Sequence, residues 1–209
     1  EKLLKRQYAA FLVVLAALFY QYFVIVRPLF LSQEGTEAEL ARARAEVEAC
    51  VGHDPLTGLP SRARLEEALA REVEYVRRYG TTLSAIAMDI DEFRKVNQKL
   101  GQLGGDEVLK EFAALLTANL RKADVMHRFT GEKFILLAPH VDGARAMQLA
   151  EKLRQLVAGA ELMKGTRLTV SLGVAECRQG EDLEAFLARL DEALDLAKAA
   201  GMNRAVAAP

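Results

Sequence analysis

The hydrophobic and polar positions of the chain follow two periods, which predict both helices and strands. Apolar residues recur at helical spacing over residues 61–78, 106–122, 143–158 and 183–200, as they do where one face of a helix is buried. Shorter apolar runs predict strands over residues 82–90 and 167–176, and two strands within residues 124–139. A further helical pattern opens at Glu92. The region beyond residue 60 therefore mixes helices with strands.

Residues 9–26, upstream of this region, contain no charged side chain. At about 1.5 Å per residue, a helix of this length spans roughly 27 Å, close to the ~30 Å hydrocarbon core of a bilayer. We therefore expect a transmembrane helix within residues 1–30, through which the protein is held in a membrane. Its flanks are basic, with Lys2, Lys5, Arg6 and Arg27.

Residues 31–52 are rich in Glu, Ala and Arg, and Leu40 and Val47 lie at heptad-like spacing. This pattern predicts a signalling linker helix, which either pairs with its twin as a short coiled coil or stands alone in solvent. Residues 53–209 are sufficient for one domain of common size.

The composition narrows the classes of function. The net charge of −1 provides no general attraction to nucleic acid, so we expect no nucleic-acid partner. The two cysteines, Cys50 and Cys177, match neither a zinc site nor a disulfide framework and favour a reducing compartment. His53, His127 and His140 lack the spacing of metal ligands.

Acidic residues mark a candidate site at the end of one strand and at the tip of a hairpin. Asp89 and Asp91 lie at the end of the strand predicted over residues 82–90, and their spacing of two predicts that they point to the same face. Glu132 follows Gly131 at the predicted hairpin turn. Acids in this arrangement can hold Mg²⁺ against a triphosphate, because that ion prefers hard oxygen ligands. The alternative is a solvated hairpin with a Glu-Lys pair.

Six short sequence blocks follow one another between residue 53 and residue 203. They are Asp54–Leu59, Asp89–Asn97, Gly101–Leu109, Arg128–Phe134, Thr169–Val174 and Ala197–Asn203. In this order they resemble the GGDEF domain, the diguanylate cyclase module that joins two GTP molecules into cyclic di-GMP. The resemblance implies an α+β fold of the cyclase and polymerase palm type, with a mostly antiparallel central sheet flanked by helices.

The resemblance also implies roles for individual residues of the nucleotide site. Asp89 and Glu132 would be the catalytic acids and the Mg²⁺ ligands. The residues that would bind GTP are Phe93, Arg94, Asn97, Asp106 and Lys198. The signature hairpin is the segment Thr130–Phe134, whereas the letters Gly104-Gly105-Asp106-Glu107 belong to a helix. This signature is degenerate, because Thr130 and Lys133 replace a glycine and an acid. Outside the signature, Met202 replaces a phosphate-binding arginine.

A second site is implied by an Arg-x-x-Asp motif, Arg121 to Asp124, which resembles the family's inhibitory site (I-site) for the product cyclic di-GMP. An arginine fork can hold guanine O6 and N7 or a phosphate, and a carboxylate can accept from the Watson-Crick edge. Arg154 on the following helix matches a helper arginine.

We therefore expect a degenerate GGDEF domain that serves in signal transduction as a membrane-anchored, homodimeric receptor for cyclic di-GMP. One alternative is an active diguanylate cyclase that uses GTP and Mg²⁺, and another is a structural dimerisation module without a ligand. GTP and cyclic di-GMP are cytoplasmic, which places the domain on the cytoplasmic side of a bacterial inner membrane. The excess of basic residues before residue 9 would by itself favour the opposite orientation.

Overall fold

The computed structural model describes residues 15, 18–22 and 52–209, and for Lys164 it describes the backbone alone. The chain divides into two units, Glu1–Ala49 and Cys50–Pro209. Most of the predicted transmembrane segment at residues 9–26, and nearly all of the predicted linker helix at residues 31–52, lie outside the described residues. Within the part of the chain that the structure describes, no helix has the length and apolar character needed to cross a bilayer.

The unit Cys50–Pro209 contains five strands and four helices of more than one turn, all within residues 52–209. In chain order they are α1 (Arg62–Tyr79), β1 (Leu83–Ile90), α2 (Phe93–Thr117), β2 (Val125–Thr130), β3 (Lys133–Pro139), α3 (Gly143–Gly159), β4 (Val170–Glu176), α4 (Leu183–Ala199) and β5 (Ala205–Ala207), with a 3-10 turn at Met163–Gly165. The strands form one sheet in the order β2-β3-β1-β4-β5. All pairings are antiparallel except that of β4 with β5. The α+β fold with a mostly antiparallel central sheet is therefore confirmed, and β5 is an addition that the sequence did not predict.

The two faces of the sheet are covered by different pairs of helices, as the alternation of side chains along β1 shows. Leu83, Ala85 and Ala87 pack in one buried cluster with apolar residues of α1 and α4. Ile86 and Met88 point the other way and pack with apolar residues of α2 and α3. Because strand side chains alternate between faces, the Asp89 side chain lies on the face of the sheet that α1 and α4 cover.

α4 lies directly on β4 because Gly173 has no side chain. A Cβ at Gly173 would lie 2.4 Å from the backbone nitrogen of Leu194 and 2.7 Å from the carbonyl oxygen of Leu190. These separations are too short for any side chain, so a larger residue would displace the helix. The packing fixes the position of α4 relative to the end of β1.

Asp91 accepts from the side chain of Ser171, the register partner of Asp89, so the two acids lie on the same face of the sheet, as the sequence predicted, but Asp91 has a structural role. β1 ends at Ile90, and the Asp91 carboxylate is buried, where it accepts hydrogen bonds from Ser171 Oγ (2.6 Å), Thr169 Oγ1 (2.7 Å) and the backbone N–H of Asn203 (3.0 Å). Since a buried carboxylate needs such donors, Asp91 ties the end of β1 to β4 and to the C-terminal segment.

His127 provides a test of the packing between β2 and α1. Its side chain is 2% exposed, and its Nδ1 atom has no hydrogen-bond partner among the described residues. Burial lowers the pKa of His127 below its ordinary value, because the charged imidazolium is poorly solvated there. As the pH falls below about 6.5, the unfolded chain therefore binds a proton that the folded chain does not.

We predict that the free energy of unfolding decreases from pH 7.5 to pH 5.5 by at most about 1.4 kcal/mol per pH unit through His127. His127→Leu should reduce this slope, and urea unfolding at several pH values measures it. His140→Asn, at an exposed histidine, is the matched control. An unchanged slope in His127→Leu would contradict the assignment.

Candidate functional site

The candidate site lies at the end of the sheet where β1 and β3 meet α4. Asp89 stands opposite Lys133 of β3 and opposite Ser171 of β4 in the strand register. The Lys198 ammonium of α4 donates to Asp89 Oδ2 at 2.9 Å. Burial raises the pKa of the Asp89 carboxyl above its ordinary value, while the hydrogen bond from Lys198 acts in the opposite direction. The structure thus brings together two of the residues that the sequence implied for metal and phosphate binding.

Glu132 lies beside this pair, at the tip of the β2–β3 hairpin. The turn is tight, with Gly131 at φ 44°, and the backbone carbonyl of Glu132 accepts from the N–H of Ile90 at 3.4 Å. The Glu132 carboxylate is near enough to Asp89 for its negative charge to act on the pKa of Asp89, which it raises. Two carboxylates therefore meet at one end of the sheet. Thr130, exposed and next to a register shift in β2, occupies the first position of the signature.

The Lys133 ammonium is paired with a different acid, although its charge is near enough to Asp89 to act on the pKa of that carboxyl in the lowering direction. Its Nζ atom donates to Asp191 Oδ1 of α4 at 2.8 Å and lies 5.3 Å from the ring centroid of Phe129. The sequence analysis expected a charge reversal at the metal site and did not identify Asp191. The available signal was the spacing of seven residues between Asp191 and Lys198, which places both side chains on the same face of a helix.

The predicted guanine-binding residues lie on α2, on either side of a kink. The helix bends at Gly101, whose φ of 74° and ψ of 171° are not helical. Asn97 precedes the kink, and its side chain packs against Gly105, where a Cβ would lie 1.8 Å from Asn97 Oδ1. Asp106 follows on the second arm and is partly exposed. Glycine at position 105 is therefore required for the amide of Asn97 to occupy this position.

The start of α2 presents the predicted phosphate-contacting residues. Phe93 is buried and Arg94 is exposed. Lys95 forms an ion pair with Glu92, which adopts a left-handed conformation at φ 54°. Of the cationic side chains in this first turn, Arg94 is the one with no ion pair among the described residues.

Arg128 joins the hairpin tip to the turn that precedes α1. Its Nη1 atom donates to both carboxylate oxygens of Asp54 (2.9 and 3.0 Å), and its Nε atom donates to the carbonyl of Gly131 (2.9 Å). Asp54 also accepts from the backbone N–H (2.8 Å) and the hydroxyl (2.7 Å) of Thr57. Burial alone would raise the pKa of Asp54, but the hydrogen bonds from Thr57 and Arg128 hold it below its ordinary value. The sequence analysis named this turn only as one of the six blocks and did not predict that Arg128 binds it.

A separate cleft of about 360 Å³ contains the Arg-x-x-Asp motif. It is lined by Asn119, Arg121, Asp124, Arg145, Gln148, Leu149 and Lys152. Asp124 is 9% exposed and accepts from the backbone N–H of Arg121 at 3.3 Å, whereas the Arg121 side chain is exposed. Three cationic side chains and one carboxylate therefore surround the cleft. This charge pattern suits an anionic ligand that also offers hydrogen-bond donors.

Arg154, which the sequence analysis placed at this second site, is absent from the residues that line the cleft. It is bound on both sides of its guanidinium, to Glu151 (2.7 and 2.8 Å) and to Asn203 Oδ1 (2.7 Å). The hydrogen bond from Arg154 lowers the pKa of Glu151 to about 2. The α3 cations that line the cleft are instead Arg145 and Lys152, which lie on another face of the helix.

Residues 51–204 match the family described as "Diguanylate cyclase, GGDEF domain". The diguanylate cyclase DgcP of Pseudomonas aeruginosa is 42% identical over 154 residues, which cover 72% of this chain and 23% of that protein. The response regulator PleD of Caulobacter vibrioides is 38% identical over 159 residues, covering 73% of this chain and 35% of PleD. The chain therefore spans about a third or less of these relatives.

Solved structures show the same architecture. The coiled coil and GGDEF domain of DgcB from Caulobacter crescentus, in complex with cyclic di-GMP, superimposes with a TM-score of 0.76 at 29% identity, covering 85% of this chain and 97% of that one. The diguanylate cyclase SiaD of Pseudomonas aeruginosa, in complex with its activator SiaC, gives a TM-score of 0.72 at 29% identity and covers 98% of this chain and 80% of that one.

The Arg128 contacts lead to a stability prediction. Arg128→Ala should lower the free energy of unfolding by about 1–3 kcal/mol, because it leaves the mostly buried Asp54 without its charged donor. Thermal and urea unfolding measure the change. Arg167→Ala is the control, since its ion pair with Glu161 is exposed and should be worth less than about 1 kcal/mol. Equal effects of the two substitutions would contradict the assignment.

Proposed function

The chain belongs to the GGDEF family of diguanylate cyclase domains, and we propose that it is a regulatory domain that binds cyclic di-GMP and has weak cyclase activity. The observation that carries this proposal is the cleft in which Arg121 and Asp124 face Arg145 and Lys152. Cyclic di-GMP has two phosphates and two guanine bases. The cations suit the phosphates and guanine O6 and N7, and the Asp124 carboxylate can accept from guanine N–H groups. The complex of DgcB with cyclic di-GMP supports the choice of ligand.

The proposal of weak catalysis is supported by three residues at the end of the sheet. Thr130 places a β-branched side chain where the family signature has glycine, which restricts the backbone and its approach to a nucleotide. Met202, 39% exposed, stands where the family has an arginine, so one cationic contact to a triphosphate is lost. Lys133 replaces an acid and thereby lowers the negative charge that would attract divalent ions.

The residues that remain at this end fit the Mg²⁺ that the family implies. Asp89 and Glu132 supply hard oxygen donors, and Mg²⁺ sites typically use one or two carboxylates and complete the shell with phosphates and water. Within the described part of the chain, no cluster of three or more His, Cys, Asp or Glu residues could hold a metal by itself. When bound, such an ion would stabilise the charge on the reacting phosphate oxygens. Asp89 would exchange its ion pair for this role, which frees Lys198 for a phosphate.

An active diguanylate cyclase is the second candidate function, and the position of Lys133 favours it. Because the Lys133 ammonium is bound to Asp191, it forms no ion pair with Asp89 or Glu132. The cost of the lysine to metal binding is then smaller than a charge reversal at the metal itself would cause.

We also propose that the domain works as a homodimer anchored to the bacterial inner membrane through residues 9–26, with the domain in the cytoplasm. The support is the uncharged length of that segment and the cytoplasmic location of the nucleotides. Membrane fractionation of the full chain, compared with a chain lacking residues 1–30, tests the anchor.

Calorimetric titration with cyclic di-GMP tests the binding function. We expect saturable binding that Arg121→Ala weakens about 10–100-fold, the effect of losing one or two charge-assisted hydrogen bonds. Lys152→Ala should weaken it less, and Arg154→Ala, outside the cleft, should leave it unchanged. Lys122→Ala controls for the loss of a nearby exposed charge. Absence of binding, or an Arg121→Ala variant that binds like the wild type, would exclude the proposal.

Incubation with GTP and Mg²⁺ separates the two candidate functions. For the regulatory domain we expect little or no steady formation of cyclic di-GMP, since a loss of 2–4 kcal/mol in the transition state corresponds to about 30–1000-fold in rate. Steady turnover that Glu132→Ala abolishes would instead establish the cyclase. Chromatographic detection of the product, with heat-treated protein as background, gives the measurement.

A further inference from the structure

Lys133 stands between two sets of acidic partners. Across the β1–β3 pair it is opposite Asp89, and cross-strand neighbours have Cβ atoms about 4.5–5.5 Å apart. A lysine side chain is longer than this separation, so its ammonium can reach the carboxylates at the sheet end. It can also reach α4, which covers the same face of the sheet. The structure shows the second arrangement, with Asp191 as the acceptor at 2.8 Å.

α4 supplies a partner to each of the charged residues on the two strands. Lys198 binds Asp89 at 2.9 Å, and Asp191, seven residues earlier, binds Lys133. Seven residues are about two helical turns, so both side chains lie on the face of α4 that meets the sheet. Each of these strand residues is therefore paired with a residue of α4 rather than with its cross-strand neighbour.

An aromatic ring adds to the arrangement around the Lys133 ammonium. Phe129 of β2 has its centroid 5.3 Å from Lys133 Nζ and 4.7 Å from the guanidinium carbon of Arg62. Aromatic faces attract cations at such distances, so the ring favours the position that Asp191 also stabilises. The Lys133 side chain is 18% exposed, whereas that of Asp191 is 49% exposed. The Lys133 side chain is thus largely buried against α4, whereas the more exposed Asp191 can be substituted without disturbing the core.

We propose that Asp191 is a positioning residue that holds the Lys133 ammonium against α4, so that a divalent cation at Asp89 and Glu132 has to displace Lys198 alone and not Lys133 as well. The inference rests on the proposed metal pair, but not on the binding of cyclic di-GMP. Without the Asp191 carboxylate, the Lys133 ammonium can turn towards Asp89, its cross-strand neighbour. An ammonium bound there competes directly with a divalent ion for the same oxygens.

Binding of Mn²⁺ to the full chain tests this inference, with free Mn²⁺ measured by electron paramagnetic resonance. We expect the wild type to bind Mn²⁺ and Glu132→Gln to abolish that binding, which locates the ion. Asp191→Asn should weaken binding at least 10-fold. Asp195→Asn, which removes an exposed charge one turn further along α4, should change it less than 3-fold. Thermal unfolding verifies that each variant is folded.

A double variant distinguishes positioning from a general loss of charge. Lys133→Gln combined with Asp191→Asn should restore Mn²⁺ affinity to within about 3-fold of the wild type, because no ammonium remains to be positioned. Wild-type affinity in Asp191→Asn, a double variant as weak as the single one, or a wild type that binds no Mn²⁺ would each overturn the inference. Titration of the same samples with cyclic di-GMP tests the proposed receptor function separately, since these substitutions lie outside its cleft.

Discussion

The direct contact between α4 and β4 at Gly173 determines where the charged groups at the sheet end can lie. With the helix backbone against the strand, the same face of α4 that buries Leu190 and Leu194 continues at its polar positions to Asp191 and Lys198. A helix displaced by even one methyl group would move both partners away from β1 and β3. The two ion pairs are therefore a consequence of apolar packing, and the electrostatics of the site depend on a residue that carries no charge.

The hairpin tip is held from the other side by Arg128. Its contacts with Asp54 and with the carbonyl of Gly131 join the turn that follows residue 52 to the loop that carries Glu132. Charge-assisted hydrogen bonds of this kind, partly buried, are stronger than exposed ion pairs because water screens them less. The position of Glu132 is thus fixed by two constraints, the register of β3 against β1 and the hydrogen bond from Arg128 to the carbonyl of Gly131.

The local features of the fold could be predicted from the sequence, whereas several partners could not. Helices and strands follow from periodicity, and the meeting of Asp89 with Glu132 follows from a strand end beside a hairpin tip. The partner of Lys133 is 58 residues distant along the chain and depends on how α4 lies on the sheet. Likewise, Arg154 lies outside the residues that line the cleft, because successive helical residues are rotated by about 100° and Lys152 and Arg154 therefore point to different sides of α3.

The charged side chains at the sheet end nearly balance one another. Asp89, Glu132 and Asp191 carry three negative charges and Lys133 and Lys198 two positive ones, which leaves a net charge of −1. An acid at position 133 would make this −3, but it would also face Asp191 and be repelled by it. Lysine at 133 and aspartate at 191 are therefore compatible with each other in a way that two acids are not. In our proposal, the position of the lysine charge, rather than its presence, decides how much of the site can bind a cation.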